Sequence, residues 1–308
     1  MDQTARNLRK RMFLHIRKAY NRFVRKILIV KKRETGGQRV KISCIQMNAR
    51  AGRPEENFSR AEKLIRSAAK HKPDVILLPE LWNTGFAPGK IDSTLADSDG
   101  ARTKALCGAL AKECGVNIIA GSVLAHKGDA RYNTAYVFDR AGDCIAQYDK
   151  THLFSPMGEG EAYAAGDRLV TFSLDGVACG IMICYDLRFA ELARTLALAG
   201  AAVLFIPAEW PRGRTRQMRT LLAARAIENQ AFAALCNGCG SAFGTRFGGK
   251  SAILDPLGNV LAQAGKNERI ISAEIDLASQ EIVRKEIPVF FDRRPELYCS
   301  LCETSDKK

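Results

Sequence analysis

Leu77-Leu78-Pro79-Glu80 sets a carboxylate just after an apolar run. Tyr148-Asp149-Lys150-Thr151-His152-Leu153-Phe154 sets an ammonium at the end of a strand-like segment. Ile183-Cys184-Tyr185-Asp186-Leu187-Arg188-Phe189 sets a thiol between a strand-like run and a helical one. A thiol is a poor nucleophile until it loses its proton. A carboxylate whose pKa is raised by partial burial can take that proton and later hand it to a leaving group. An ammonium can hold a thiolate and stabilise an oxyanion, and backbone N–H groups at a turn can add to that. If the three groups meet, they can cleave an amide in four steps: thiolate attack, loss of ammonia, a thioester, and hydrolysis by water activated by Glu80. Each residue alone also has a plain structural reading. A Glu after a strand is often a cap or loop residue, a Lys is often surface, and a Cys after an apolar run is often core filler. The three together, each inside a motif of several residues, outweigh those readings.

The elements that must position them alternate along the chain. Residues 40–47 read as a strand, and Pro54 opens a helix with Phe58, Ala61, Leu64, Ile65 and Ala68 on one face. Residues 75–78 are a continuous apolar run, as in a strand buried on both faces, and 116–121 read as another buried strand. A helix is expected over 103–114. Residues 132–138 and 144–148 flank Asp139-Arg140-Ala141-Gly142-Asp143 as a hairpin. Strands are then expected over 176–183, 201–206, 232–236 and 270–275, helices over 189–199 and 215–229, and a hairpin around Asp255-Pro256-Leu257-Gly258. Strand–helix alternation mixed with hairpins predicts layered α/β with a mixed sheet or two sheets.

Hydrophobic residues make up 46% of the 308, enough for a sizeable core. No apolar run is long enough to span a bilayer. The N-terminus lacks an apolar segment followed by a small-residue cleavage site, so no secretory signal is expected. Ten cysteines are scattered through core-like segments, which suits a reducing cytoplasm. The net charge of +14 is concentrated in one arm. Residues 1–41 hold 14 basic and 2 acidic side chains, against 33 and 31 in the rest. The body is therefore nearly neutral and no nucleic acid is expected as its partner. In the arm, Phe13, Ile16, Tyr20, Val24 and Ile27 recur at helical spacing among basic residues. Such a helix can lie on an anionic membrane or on RNA. The reading preferred here is a non-functional extension over 1–38, such as an upstream start codon would add before translation beginning at Val40. The expected division is thus 1–38 extension, 39–300 catalytic domain, 301–308 tail.

The three segments resemble the signature regions of the nitrilase superfamily of carbon–nitrogen hydrolases, over about 260 residues from Val40 to Tyr298. The resemblance implies a single-domain α/β fold, a four-layer αββα sandwich that usually forms a homodimer or a higher homo-oligomer. It implies Glu80 as base, Lys150 as oxyanion stabiliser, Cys184 as nucleophile and the Tyr185 backbone N–H as second oxyanion donor. A supporting glutamate between the Lys and Cys motifs fits Glu159 best, with Glu161 as competitor. No cofactor and no metal are implied. Further segments are similar to those of ω-amidases: Glu80-Leu81-Trp82-Asn83-Thr84-Gly85-Phe86, Ala208-Glu209-Trp210-Pro211 with Arg214, Ala224 to Gln230, and Ile287-Pro288-Val289-Phe290 with Arg293 to Tyr298. The implied substrate is the terminal amide of 2-oxoglutaramate or 2-oxosuccinamate. N-carbamoyl amino-acid and aliphatic amide hydrolases share most of these motifs and form the alternative.

An anionic substrate needs a cationic subsite, for which Arg188, Arg212 and Arg214 are candidates. The competing reading of Arg188 is an ion pair with Glu191 or another carboxylate. Glu209, Trp210 and Phe86 are candidate pocket residues; Trp210, Phe86 and Trp82 can equally be packing. His152 is read as a supporting hydrogen-bond partner in preference to a base. Gly244-Thr245-Arg246-Phe247-Gly248-Gly249-Lys250-Ser251 matches the phosphate-loop pattern, but that loop needs a following helix, and Pro256 would break one early. Cys236/Cys239 and Cys299/Cys302 form two C-x-x-C pairs whose separation is too long for a compact zinc ribbon. The rivals from other classes are a basic RNA- or membrane-binding protein on an inactive scaffold, which rests on residues 1–41 alone, and a phosphate-loop NTPase.

Overall fold

The computed structural model describes residues 37–298. The basic helix read in 1–38, the tail and the Cys299/Cys302 pair lie wholly or almost wholly outside them. Strand β1 (Arg39–Gln46) is followed by α1 (Pro54–Ala69), β2 (Val75–Leu77), β3 (Asp97–Ser98) and α2 (Ala101–Cys114). Strands β4 (Asn117–Ile119), β5 (Val123–Lys127), β6 (Ala130–Phe138) and β7 (Cys144–Asp149) complete the first sheet apart from its last member. After the short α3 (Glu159–Ala162) come β8 (Thr171–Leu174), β9 (Val177–Ile181), α4 (Ala190–Leu198), β10 (Val203–Ala208), α5 (Thr215–Glu228) and β11 (Phe232–Asn237). A small hairpin of β12 (Cys239–Ala242) and β13 (Thr245–Gly248) precedes β14 (Ala252–Leu254), β15 (Val260–Gln263), β16 (Arg269–Asp276) and α6 (Leu277–Glu286).

The first sheet runs β16-β1-β2-β4-β6-β5-β3, with β7 also on β6; the second runs β15-β14-β11-β10-β9-β8. Strand alternation decides which face of each sheet meets what. In β2, Val75 and Leu77 point into the core between the sheets, and Ile76 points at the helices outside. In β6, Ala135 and Val137 point inward and Tyr136 and Phe138 outward. Phe58, Ala61, Ile65 and Ala68 of α1 cover that outer face. Leu192 and Leu196 of α4 and Met218 and Leu222 of α5 join the core on the second sheet's side. The result is the expected αββα layering.

The strand and helix positions expected from sequence are met within a few residues. The strand expected over 176–183 stops at Ile181. The apolar run over 116–121 forms a strand only at Asn117–Ile119. The expected elements did not include the β12–β13 hairpin, the short strands β3, β5 and β8, the short helix α3 or helix α6. The phosphate-loop match falls on β13 and the lead into β14, so no helix follows it.

Candidate active site

Glu80, Lys150 and Cys184 all lie just past strand ends: Glu80 beyond β2, Lys150 directly after β7, Cys184 beyond β9. The strands thus deliver their side chains to one spot from both sheets. The turn bearing Glu80 is packed tightly. A Cβ at Gly121, whose φ is +58°, would sit 2.0 Å from the carbonyl oxygen of Pro79, so only glycine fits there. Cys184 itself has φ +46° and begins a 3₁₀ turn, Cys184–Arg188. A non-glycine residue in that region is strained, and such strain clusters at functional sites. The turn's first internal amide bond is Asp186 N–H to Ile183 O at 3.0 Å, which leaves Tyr185 N–H ahead of it without an acceptor in the turn.

Lys150, Glu80 and Glu159 have no solvent exposure. The Lys150 ammonium donates to Glu80 Oε1 at 2.8 Å and to both Glu159 oxygens at 3.0 and 2.7 Å. Asn133 Nδ2 donates to Glu80 Oε1 at 2.8 Å and to Glu159 Oε1 at 3.0 Å. The Glu209 amide donates to Glu80 Oε2 at 2.8 Å, and the Phe154 amide to Glu159 Oε2 at 2.7 Å. Cys184 lies near enough to Glu80 that each group shifts the other's titration. Of the two glutamates, Glu159 is therefore the one that meets Lys150, while Glu161 is exposed.

Burial penalises charge on all three central groups, and their neighbours decide the outcome. Burial pushes Glu80 up; Lys150 opposes this, and Glu159 adds to it, leaving the carboxyl above its ordinary range. Burial pulls Lys150 down, but Glu80 and Glu159 more than reverse that and hold it well above the usual ammonium value. Burial and then Glu80 push the Cys184 thiol well above its usual value, against a smaller pull from Lys150. One cation already faces two carboxylates, so it has little left to hold a thiolate. The arrangement instead suits a neutral thiol that gives its proton to Glu80 as it attacks.

A second cluster fixes the Cys184 turn. Asp186 Oδ2 accepts from Ile183 N–H at 2.8 Å and from Tyr148 Oη at 2.7 Å. Its Oδ1 accepts from the His152 backbone N–H at 3.1 Å and lies 2.8 Å from His152 Nδ1. The His152 ring stacks on Phe189, with centroids 3.7 Å apart. His152 thus hydrogen-bonds to Asp186 and stacks on Phe189. Asn133 and the role of Asp186 were missed. The available signal for Asn133 was an amide in the middle of an apolar strand, where Asn is disfavoured.

A small pocket, partly open to solvent, reaches Cys184. Phe86, Phe154, Tyr185, Trp210 and Pro211 wall it, with Glu209, Arg188 and Arg214 also in the lining. The Arg188 guanidinium sits 5.1 Å from the Trp210 ring and Arg214's 5.2 Å from the Phe154 ring. Arg188 donates to Gln217 Oε1 at 2.8 Å, so its partner is a neutral amide and the alternative ion pair with Glu191 is not formed. Arg212 is exposed and outside the pocket lining. Trp82 is core: its ring packs on Phe58 and its Nε1–H donates to Ala120 O at 2.6 Å. Among the described residues no group of three or more His, Cys, Asp or Glu side chains can hold a metal ion. Nor is any of their helices long and apolar enough to cross a membrane.

The chain is similar to known proteins along nearly its whole described length. It is 47% identical over 257 residues to a 2-oxoglutaramate amidase of Bacillus subtilis, covering 83% of this chain and 98% of that one. It is 32% identical over 252 residues to an omega-amidase of Homo sapiens, covering 79% and 91%. A solved amidase of the nitrilase superfamily from Nesterenkonia superposes with a TM-score of 0.76 at 25% identity, covering 87% of this chain and 98% of that one. Another structure of that amidase shows covalent addition of the acetamide moiety of fluoroacetamide at its active-site cysteine. The family model for carbon-nitrogen hydrolases matches residues 41–285. With that match over most of its length, and with acid, cation and thiol brought together beyond three strand ends, the chain belongs to the carbon–nitrogen hydrolase family.

Proposed function

We propose that the protein hydrolyses the terminal amide of a small 2-oxo acid, 2-oxoglutaramate or 2-oxosuccinamate, to the carboxylate and ammonia. The observation that carries this is that Glu80 and Lys150 meet beside Cys184, which opens on a small pocket that two guanidiniums also line. The thiol and carboxylate supply the chemistry. Arg188 and Arg214 supply charge for the substrate's far carboxylate. The indole N–H of Trp210, in the same lining, is buried without a hydrogen-bond partner. The similarity to the Bacillus subtilis amidase supports the same substrate class.

In this reading Cys184 Sγ attacks the amide carbon as Glu80 takes its proton. The carbonyl oxygen becomes an oxyanion facing Lys150 Nζ and the Tyr185 N–H. The C–N bond breaks, and Glu80 passes the proton to the departing nitrogen, releasing ammonia and leaving a Cys184 thioester. Glu80 then deprotonates a water, which attacks the thioester carbon. The C–S bond breaks and the sulfur recovers its proton. Asn133 and Glu159 hold Lys150 and Glu80 in register throughout. The reading carries two further expectations, a reducing cytoplasm for a free thiol and a homodimer.

Ammonia release from a panel of amides tests it. The panel holds 2-oxoglutaramate, 2-oxosuccinamate, glutamine, N-carbamoyl amino acids and simple nitriles. The expected result is fastest release from a 2-oxo acid amide, with the acyl mass caught on Cys184. Turnover of N-carbamoyl compounds alone would remove the 2-oxo acid assignment and leave the hydrolase chemistry standing.

A further inference from the structure

Three of the buried acids around Cys184 are fully answered for. Glu80 and Glu159 share the Lys150 ammonium. Asp186 takes donors from Tyr148, His152 and the Ile183 amide. Glu209 is different. It follows β10, is 3% exposed and lines the pocket beside Cys184. Its one side-chain hydrogen bond among the described residues is from Phe86 N–H to Oε2, at 2.7 Å. No described cation forms an ion pair with it. The closest charge built against it is a like one, since its own amide is bonded to Glu80 Oε2. Burial and a neighbouring carboxylate, with no cation in ion-pair contact, favour the neutral form of such a carboxyl. Burial first, then Glu80, hold it well above the usual carboxylate range.

Its placement is specific. A Cβ on Gly238 would come within 2.9 Å of Glu209 Cγ and 3.0 Å of Oε1, so the bare α-carbon of Gly238 makes room for this carboxyl. Oε2 accepts the Phe86 amide, which leaves Oε1 to carry the proton. A donor-bearing oxygen in a pocket with two guanidiniums complements an acceptor on the substrate.

We propose that Glu209 is a neutral acid that donates a hydrogen bond from Oε1 to the 2-oxo oxygen of the substrate, and so selects 2-oxo acid amides over their 2-amino counterparts. This rests on the 2-oxo acid reading above. Arg188 and Arg214 cannot make that selection, because the two substrate types share the same carboxylate. A carbonyl oxygen accepts from the acid. An ammonium only donates, so it meets a like donor unless Glu209 ionises beside Glu80. The titratable and charged groups around Glu209 are Glu80, Cys184, Tyr185, Arg188, Arg214 and, from β12, Cys239.

The test compares kcat/KM for 2-oxoglutaramate and for glutamine, from about pH 6 to about pH 8.5, in wild type, Glu209→Gln and Glu209→Leu. Gln keeps an acceptor for Phe86 N–H and a donor toward the pocket. It is expected to stay within about tenfold of wild type on 2-oxoglutaramate, whereas Leu falls by about a hundredfold or more. The preference for oxo over amino is expected to weaken with rising pH in wild type and to hold constant in Glu209→Gln. A Gln variant as inactive as the Leu variant means the anion is needed and overturns the proposal. So does a Leu variant that keeps the wild-type preference. If the Leu variant does not fold, judged by circular dichroism, the Gln variant and its pH series decide alone. Wild type inert on 2-oxoglutaramate but active on another amide overturns the substrate reading and this inference together; wild type active with Glu209→Gln inert overturns the inference only.

Discussion

Two buried acid clusters flank Cys184, and they are built from opposite materials. On one side Glu80 and Glu159 close on a single ammonium, with Asn133 bridging them. On the other, Asp186 gathers hydroxyl, imidazole and amide donors from the Lys150 loop and from the Cys184 turn. The first cluster holds more negative than positive charge and can exchange a proton with the thiol. The second is a brace: it ties the loop after β7 to the turn after β9 and fixes where the sulfur stands. Burying acid is therefore not a single device. A shared cation keeps an acid ready for proton transfer, and multiple donors turn one into a fastener.

The comparison can be broken at the sulfur first. Cys184→Ala should abolish ammonia release, a fall of roughly ten-thousandfold or more, with the thermal midpoint little changed. Retained turnover would separate both clusters from the chemistry. Glu80→Gln should cost roughly a thousandfold. In wild type, kcat/KM should fall as pH drops through a pKa above the ordinary carboxylate range, because the base must be ionised and burial raises it. A profile flat to about pH 4.5 would contradict this.

Lys150→Met sharpens the contrast by removing the cation. Two unpaired buried carboxylates should cost about 3–5 kcal/mol of stability. Their folded-state pKa values then lie above the unfolded ones, so the folded state binds more protons and the lost stability returns as pH falls. A thermal deficit equal at every pH would refute the charge account. Asp186→Asn should have the smallest effect, about 1–3 kcal/mol and roughly tenfold in rate, with the acid limb of the pH profile unmoved. A shifted limb would show that the brace is electrically part of the base.

The chemistry-bearing residues were legible in the sequence because each sits in a motif at a strand end. Their partners were less so. Asn133 lies mid-strand, and only the fold reveals that its amide reaches both glutamates. Asp186 was in plain view two residues after Cys184, but its partners Tyr148 and His152 lie more than thirty residues away in sequence. Arg188 was weighed against an ion pair with Glu191; it found Gln217 instead, a neutral partner one helix away. The β12–β13 hairpin went unseen because Gly-rich, mixed-polarity sequence carries little period-2 signal. Helix α6 went unseen because its buried residues, Gln280 and Val283, are too few to make a stripe.

A sulfhydryl kept protonated until its base collects the hydrogen is also guarded from damage. Peroxides and similar oxidants attack the ionised sulfur, and they do so where it is open to water. Here Cys184 is only 8% exposed, and burial and the neighbouring Glu80 both push its thiol up. Its reactivity is withheld from chance electrophiles and released only to a guest that fills the cavity and completes the proton's path, so selectivity and durability come from the same arrangement.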